Sequence, residues 1–288
     1  MLGNSEVKVY KDARFSDDDG KSFEVAIMVN HQKCSAIVYD AFENRYVAYI
    51  EKSLNNYLSL SELELEIDSF FQHSFFSVRF VIVKVMYVTH KSTLIPEPLF
   101  EKSKMRELLS FNHDVDSNED VFEYFIRNGL MYCVFAYPQW FTTLVQKHFK
   151  NCTFTHQSVP LINTVLLVNK HKALRKKVYV NVEVDFFDIV VIHGDSLLFA
   201  NSFSYSHTND FLYFLLNVFE QLKLNPEVND VIFMGQVWYD SEFLIEAKKF
   251  IKNIHLVSYK DEQEHFSYVF QDLTLVQLST LINVFRCA

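Results

Sequence analysis

Glycine is scarce in this chain: five residues in 288, at positions 3, 20, 129, 194 and 235, where average usage of about 7% would give about twenty. A loop that wraps a phosphate brings several backbone amides onto one oxyanion with no β-carbon in the way. Five scattered glycines leave little material for such a cradle. Cysteine is also sparse: Cys34, Cys133, Cys152 and Cys287 stand far apart with no C-x-x-C pair, which argues against a zinc knuckle or a redox dithiol and fits a reducing, cytoplasmic setting. Positive charge is in deficit, with 27 Lys and Arg against 36 Asp and Glu and a formal net charge of −9. Broad adhesion to nucleic acid or to an anionic membrane needs the opposite balance. Long apolar runs are missing too. The longest, "SVRFVIVKVMYV", is broken by Arg79 and Lys84, and the N-terminal "MLGNSEVKVYKDARFSDDDGKSF" is too polar for a signal peptide, so no membrane span is expected. There is no H-E-x-x-H, H-x-H, G-x-S-x-G or G-x-x-x-x-G-K-[ST] pattern. Isolated histidines such as His73, His148 and His255 therefore read as caps or packing residues, and no metal ligand is expected.

What the chain has in abundance is aromatic carbon, 29 Phe and 15 Tyr within 49% apolar residues, enough for more than one core. "FEVAIMVN", "KCSAIVYD" and "RYVAYIEKS" read as three short antiparallel strands, rich in β-branched and aromatic residues. "SELELEIDSFFQHS" follows as a helix with Ser61 as its cap, and "SVRFVIVKV" as a well-buried strand. Residues 86–131 depart from this order and read as an insertion. In it "EKSKMRELLSF" is helical, and "NHDVDSNEDVFEYFIRN" suggests a second helix capped by Asp116 or Ser117. A calcium-loop reading of that stretch fails because Glu119 replaces the turn glycine and Phe125 the bidentate glutamate. Strand "MYCVFAYP", helix "QWFTTLVQKHFK", strand "CTFTHQS" and a helix or strand "PLINTVLLVNK" come next.

After the basic run "KHKALRKK", residues 170–177, the pattern begins again. That run, with Lys170, Lys172, Arg175, Lys176 and Lys177, reads as a solvated linker; binding to RNA or an acidic protein face is its competing use. "VYVNVEV", "FDIVVIHG" and "SLLFANSF" make a second meander. "TNDFLYFLLNVFEQLKL" is a helix capped by Thr208 or Asn209, and strand "DVIFMG", helix "SEFLIEAKKFIKN" and strand "IHLVSY" complete the half. Each half is thus three meander strands, a helix, a strand, a helix and a strand, an internal duplication of element order.

A meander followed by alternating helices and strands, performed twice, resembles the actin-like ATPase fold, an α/β architecture of two ribonuclease H-like domains. "FANSFSYSHTNDFLYFLLNVFEQLKLNPEVNDVIFMG" carries the likeness: strand, crossover helix, then a strand ending in glycine. The whole chain resembles an uncharacterised bacterial family of unknown function with that fold, and more distantly the actin-like proteins of type IV pilus assembly. The expected domains are 1–176, with its insertion near 86–131, and 177–288.

The resemblance implies where a nucleotide would sit. Working members of the superfamily carry an aspartate, then a glycine, then Ser or Thr in each meander's first hairpin, so that amides and hydroxyls hold phosphate and the carboxylate positions magnesium or water. Here Asn30 and Asn181 stand at the aspartate, Gln32 and Glu183 at the glycine, and Phe186 and Phe187 where small hydroxyl residues belong. Glu183 would project toward the polyphosphate and repel it. Of the late, usually glycine-rich adenosine turn only Gly235 remains, with Gln236, Trp238 and Tyr239 beside it, and the two aromatics read as packing that fills the cleft. Asp185 and Asp188 read as a solvent-facing pair.

The remnant cleft candidates are Asn30, Lys33, Ser35, Asn181, Asp185 and Gly235. No catalytic residue and no cofactor is expected. The leading reading is a cytoplasmic pseudo-ATPase that works through a protein partner or as a homodimer. The alternative is a divergent ATP-binding enzyme using Lys33, Ser35, Asp185 and Gly235 in a non-standard site.

Overall fold

Strand pairing begins earlier than the polar N-terminus announces. In the computed structural model, which describes residues 6–16, 22–54, 59–170 and 175–286, Val7–Lys11 forms β1. Phe23–Val29 (β2), Lys33–Asp40 (β3) and Arg45–Ser53 (β4) then make the antiparallel meander, with β1 paired along the outside of β4. Helix α1 spans Leu60–Phe71. Its cap is Ser59 rather than Ser61: the Ser59 side chain accepts from the Glu62 amide while the Glu62 carboxylate takes the Ser59 amide at 2.8 Å, a reciprocal box that fixes the first turn. Phe80–Tyr87 (β5) runs parallel to β2. Only its second half is as buried as the sequence suggests; Val81 and Ile82 are exposed because the next strand of the sheet pairs with Val83, Lys84 and Val85 alone.

The inserted segment builds a sheet of its own. Ser92–Pro96 (β6), helix α2 (Met105–Ser110), Glu119–Ile126 (β7) and Met131–Pro138 (β8) enclose a small core of Ile95, Leu109, Val134 and Ala136, with strand order β6-β8-β7. Two expectations are corrected here. Residues 119–126 are a strand, because five of the six residues in "VFEYFI" are aromatic or β-branched. Asp116 serves the turn before it instead of a helix, accepting from the Asn118 amide at 2.8 Å. "MYCVFAYP" joins this small sheet, not the main one. Helix α3 (Gln139–His148) and the short β9 (Cys152–Phe154) follow, and the main sheet reads β1-β4-β3-β2-β5-β9.

"PLINTVLLVN" resolves as helix, α4 (Ser158–Asn169). Of the basic run, residues 171–174, including Lys172, lie outside the described residues, and Lys176 and Lys177 open the next strand. Lys176–Val182 (β10), Phe186–His193 (β11) and Ser196–Ser204 (β12) form the second meander. Helix α5 (Thr208–Gln221) starts from His207, not Thr208 or Asn209; the Asp210 carboxylate turns back to accept from the Ser206 and His207 amides at 3.1 Å each. Asp230–Gly235 (β13), α6 (Glu242–Ala247), β14 (Ile254–Leu256) and α7 (Ser279–Asn283) complete the chain. This sheet has order β12-β11-β10-β13-β14, the same path as β4-β3-β2-β5-β9, with β13 paired parallel to β10 and β14 parallel to β13.

The residues divide into two compact units, one from 1–124, 132–157 and 260–273, the other from 125–131, 158–259 and 274–288. In the first, the returning segment 260–273 is pinned beside β4. Phe266 stacks on Tyr46 at 4.9 Å, the Ser267 amide donates to the Tyr46 carbonyl at 2.9 Å, and Arg45 donates to the Phe266 carbonyl at 3.0 Å. In the second, Val178, Val180, Phe187, Ile189, Phe211, Leu215, Val231 and Phe233 form one core between sheet and helix α5. The Phe187 and Phe211 rings are 4.1 Å apart. Each such buried ring is worth about 1.5–3 kcal/mol of transfer free energy.

Candidate functional site

The turn between β2 and β3 is closed by its own asparagine. Asn30 is buried, and its side-chain carbonyl accepts from the Gln32 amide at 2.9 Å and the Lys33 amide at 2.8 Å, while its backbone amide donates to the Lys33 carbonyl at 3.0 Å. The amides that would otherwise face an anion are thus occupied from within, in an Asx-type turn. Lys33 leans back over the sheet, its ammonium 3.8 Å from the Glu51 carboxylate, which also takes the Tyr49 hydroxyl at 2.8 Å. Burial pushes the Tyr49 phenol well up, so it stays a donor. Ser35 is fully buried and donates to the Met28 carbonyl at 3.4 Å. Ser35 is spent inside the fold, and Lys33, half-buried, faces Glu51.

The matching turn in the second unit is sealed differently. Asn181 sits on β10 with its amide nitrogen 3.3 Å from a Glu183 carboxylate oxygen and 3.5 Å from one of Asp188, and its carbonyl accepts from the Thr280 hydroxyl of α7 at 3.4 Å. All four residues are buried. Glu183 does not project outward as the sequence suggests: its amide donates to the Phe186 carbonyl at 2.9 Å and its carbonyl accepts from the Tyr205 hydroxyl at 2.9 Å, which locks the turn between β10 and β11. Phe186 and Phe187 are core residues.

Asp185 and Asp188 are not a solvent-facing pair. Asp185 is exposed at the turn, whereas Asp188, on β11, is buried and accepts from Ser202 of β12. Carboxylates three apart in an extended strand face opposite sides, and the turn ahead of Phe186 separates them further.

Gly235 ends β13 in the left-handed region, φ +83°. A β-carbon there would stand 2.4 Å from the Val182 carbonyl oxygen and 2.7 Å from Asn181 Oδ1. The glycine is required by this close approach to β10, which the Gln236 amide continues with a 2.7 Å bond to the same Val182 carbonyl. Beyond it Trp238 and Tyr239 are 50% and 75% exposed, so the expected packing role is corrected: they lie on the surface.

The six candidates therefore fall into two groups, with Asn30, Lys33 and Ser35 at one turn and Asn181, Asp185 and Gly235 around the other. Thr280 is the partner that sequence spacing misses, since it lies 99 residues beyond Asn181 and no pattern links them. Burial pushes the Cys34 and Cys152 thiols up, which keeps these two protonated. Among the described residues, no group of three or more His, Cys, Asp or Glu side chains is placed to hold a metal ion, and no helix is long and apolar enough to cross a membrane. His73 and His148 do the ordinary work expected of them, His73 accepting from the Phe75 amide at 3.1 Å and His148 bonding Asp68 at 2.8 Å.

Comparison with known proteins agrees with this architecture. Residues 12–254 match the model of a family described as "Protein of unknown function (DUF3822)". A solved protein from Bacteroides thetaiotaomicron, described as having an actin-like ATPase fold and unknown function, is 27% identical, with 85% of this chain and 94% of that one aligned at a TM-score of 0.76. A chain of the PilM–PilN type IV pilus biogenesis complex aligns over 92% of this chain and 98% of its own, at 9% identity and TM-score 0.63. The ethanolamine utilization protein EutJ from Carboxydothermus hydrogenoformans aligns over 95% and 93%, at 11% identity and TM-score 0.51. No curated protein matches by sequence. The chain has the actin-like ATPase fold.

Proposed function

The chain belongs to the DUF3822 family of proteins of unknown function, and we propose that it is a non-catalytic member of the actin-like ATPase fold that acts by binding a protein partner. The observation that carries this reading is the turn at Asn30, whose side chain takes the very amides, of Gln32 and Lys33, that an active relative would turn toward phosphate. The sealed Asn181, Glu183 and Asp188 cluster supports it from the second unit. The Asn30 side-chain carbonyl is already satisfied and is released only at a cost, so a nucleotide would have to break its bonds before making its own.

The shared strand order of the two sheets supports a duplicated ribonuclease H-like domain, for which we keep a boundary near residue 176. The PilM relative is itself seen in a complex with a partner, PilN. By analogy, the surviving scaffold here serves a protein contact in a bacterial cytoplasm, with a second copy of the chain as one form that contact could take. The ATP-binding alternative would need Lys33, Ser35 and Gly235 to leave their present partners.

Isothermal titration with ATP, ADP and GTP at millimolar concentration with Mg²⁺ tests the proposal. No heat of binding is expected. Micromolar affinity for any of the three would overturn it.

A further inference from the structure

We infer that the inserted β6-β8-β7 sheet is held on the main sheet of its unit by an acid-sensitive latch centred on His156, which opens locally as the pH falls below neutrality. His156 follows β9 directly and is fully buried. Its Nε2 lies 2.9 Å from the Thr89 carbonyl oxygen, and because a carbonyl only accepts, the ring carries its proton there. The Gln157 amide donates to the same carbonyl at 2.6 Å, so the exits of β5 and β9 are sewn together at one oxygen.

One part of the inserted segment packs on this ring: Phe135 of β8, with centroids 5.6 Å apart. His113, from the loop after α2, stands 5.9 Å from His90 and is fixed by a 2.9 Å contact from its Nε2 to the Ser92 carbonyl. The contact continues through the Tyr137 hydroxyl, which donates to the Thr155 carbonyl at 2.6 Å, and through Phe122 of β7 on Phe154 at 4.7 Å. Lifting the small sheet away uncovers His156.

The titratable groups that bear on His156 from neighbouring elements are His90, after β5, and His113, after α2, both positive when protonated. Lys91, beside His90, is matched by Glu119 of β7 at 2.8 and 2.9 Å. Tyr137 of β8 is kept neutral by burial. Burial, opposed by the Thr89 carbonyl contact and aided by charge on His113 and His90, holds the His156 imidazole down to about 3. An exposed imidazole titrates near 6.5. Between these limits the open form binds one more proton than the closed form, so closure is fully favoured above about pH 6.5 and weakens about tenfold per pH unit below it.

Hydrogen exchange with mass spectrometry on the whole chain, corrected for intrinsic rates from pH 7.5 to 4.5, tests the inference. Peptides within residues 92–124 and 132–138 should show an opening constant that rises about tenfold per pH unit below about pH 6, while peptides from β10–β12 show no such slope. His156→Gln, which keeps a donor for Thr89, should flatten it. A flat response in the wild-type peptides, or an equal slope in the variant, overturns the latch. If the variant does not fold, imidazole NMR of the wild type decides: His156 neutral down to about pH 4 supports it, and titration near 6.5 in the closed protein refutes it.

Discussion

The hydroxyl of Ser267 donates to the carboxylate of Asp12, joining residues 255 positions apart in the chain. Asp12 also accepts from Arg14 three times, from the backbone amide at 2.9 Å and from the guanidinium at 3.2 and 3.0 Å. The Arg14 side chain above all, with Ser267 behind it, holds the Asp12 carboxyl well below the usual carboxylate range. A depressed carboxyl stabilises the fold fully above its unfolded value near 4 and loses that contribution as pH falls below it. Asp12→Asn should cost about 1–3 kcal/mol at pH 7. Urea unfolding between pH 5 and 2 should show a smaller acid-driven loss in the variant than in the wild type.

Removing the acceptor at Asn30 strands the two amides it serves. Asn30→Ala should destabilise the protein by about 1–2 kcal/mol, whereas Asn30→Asp, which keeps the acceptor, should recover most of it. Exchange of the Gln32 and Lys33 amides should quicken in the alanine variant alone. Gain of Mg·ATP binding by the alanine variant, absent from the wild type, would support the proposed function, because it would show that the Asn30 side chain is what withholds those amides from phosphate.

Gly235→Ala combines a left-handed backbone with a β-carbon 2.4 Å from a carbonyl oxygen that cannot move without parting β13 from β10. The strain alone is about 1–2 kcal/mol, and the displaced backbone adds to it. A loss of about 3 kcal/mol or more is expected, read from the urea midpoint of the second unit.

Leu130 is 62% exposed and also left-handed, φ 49°, but with no glycine to ease it. Here the same arithmetic runs the other way. Leu130→Gly relieves about 1–2 kcal/mol of strain and costs about 0.5–1 kcal/mol in chain entropy. A net gain of about 0.5–1 kcal/mol should appear as a higher thermal midpoint.

Both meanders are legible in the sequence because period-two alternation of β-branched and aromatic residues is local, and the chain closes those hairpins within ten residues or so of each other. The same rule misses β7, where acidic residues at 119 and 120 imitate a helix start although the stretch behind them is nearly all aromatic or β-branched. It misses β1 because "VKVYK" is too short and too charged to stand out until β4 offers an edge. At the site, the substitutions at Asn30, Asn181 and Glu183 are visible in the letters. Their consequence is not: whether Glu183 faces outward or inward depends on Tyr205 and Phe186, and Asn181 is completed by Thr280, which only the three-dimensional path delivers. Exposure of Trp238 and Tyr239 likewise follows from how the chain leaves β13, which depends on the turn at Gly235.

The path of residues 260–286 has a consequence for biosynthesis. The first unit takes its latecomers from 260–273 and the second takes its own from 274–286. During translation both halves must wait, Tyr46 for Phe266 and Asn181 for Thr280, until this stretch has left the ribosome. The first unit has all its residues only once Leu273 has emerged, and the second only after Thr280. A ribosome stalled after residue 259 would hold two unfinished bodies, natural clients for a chaperone.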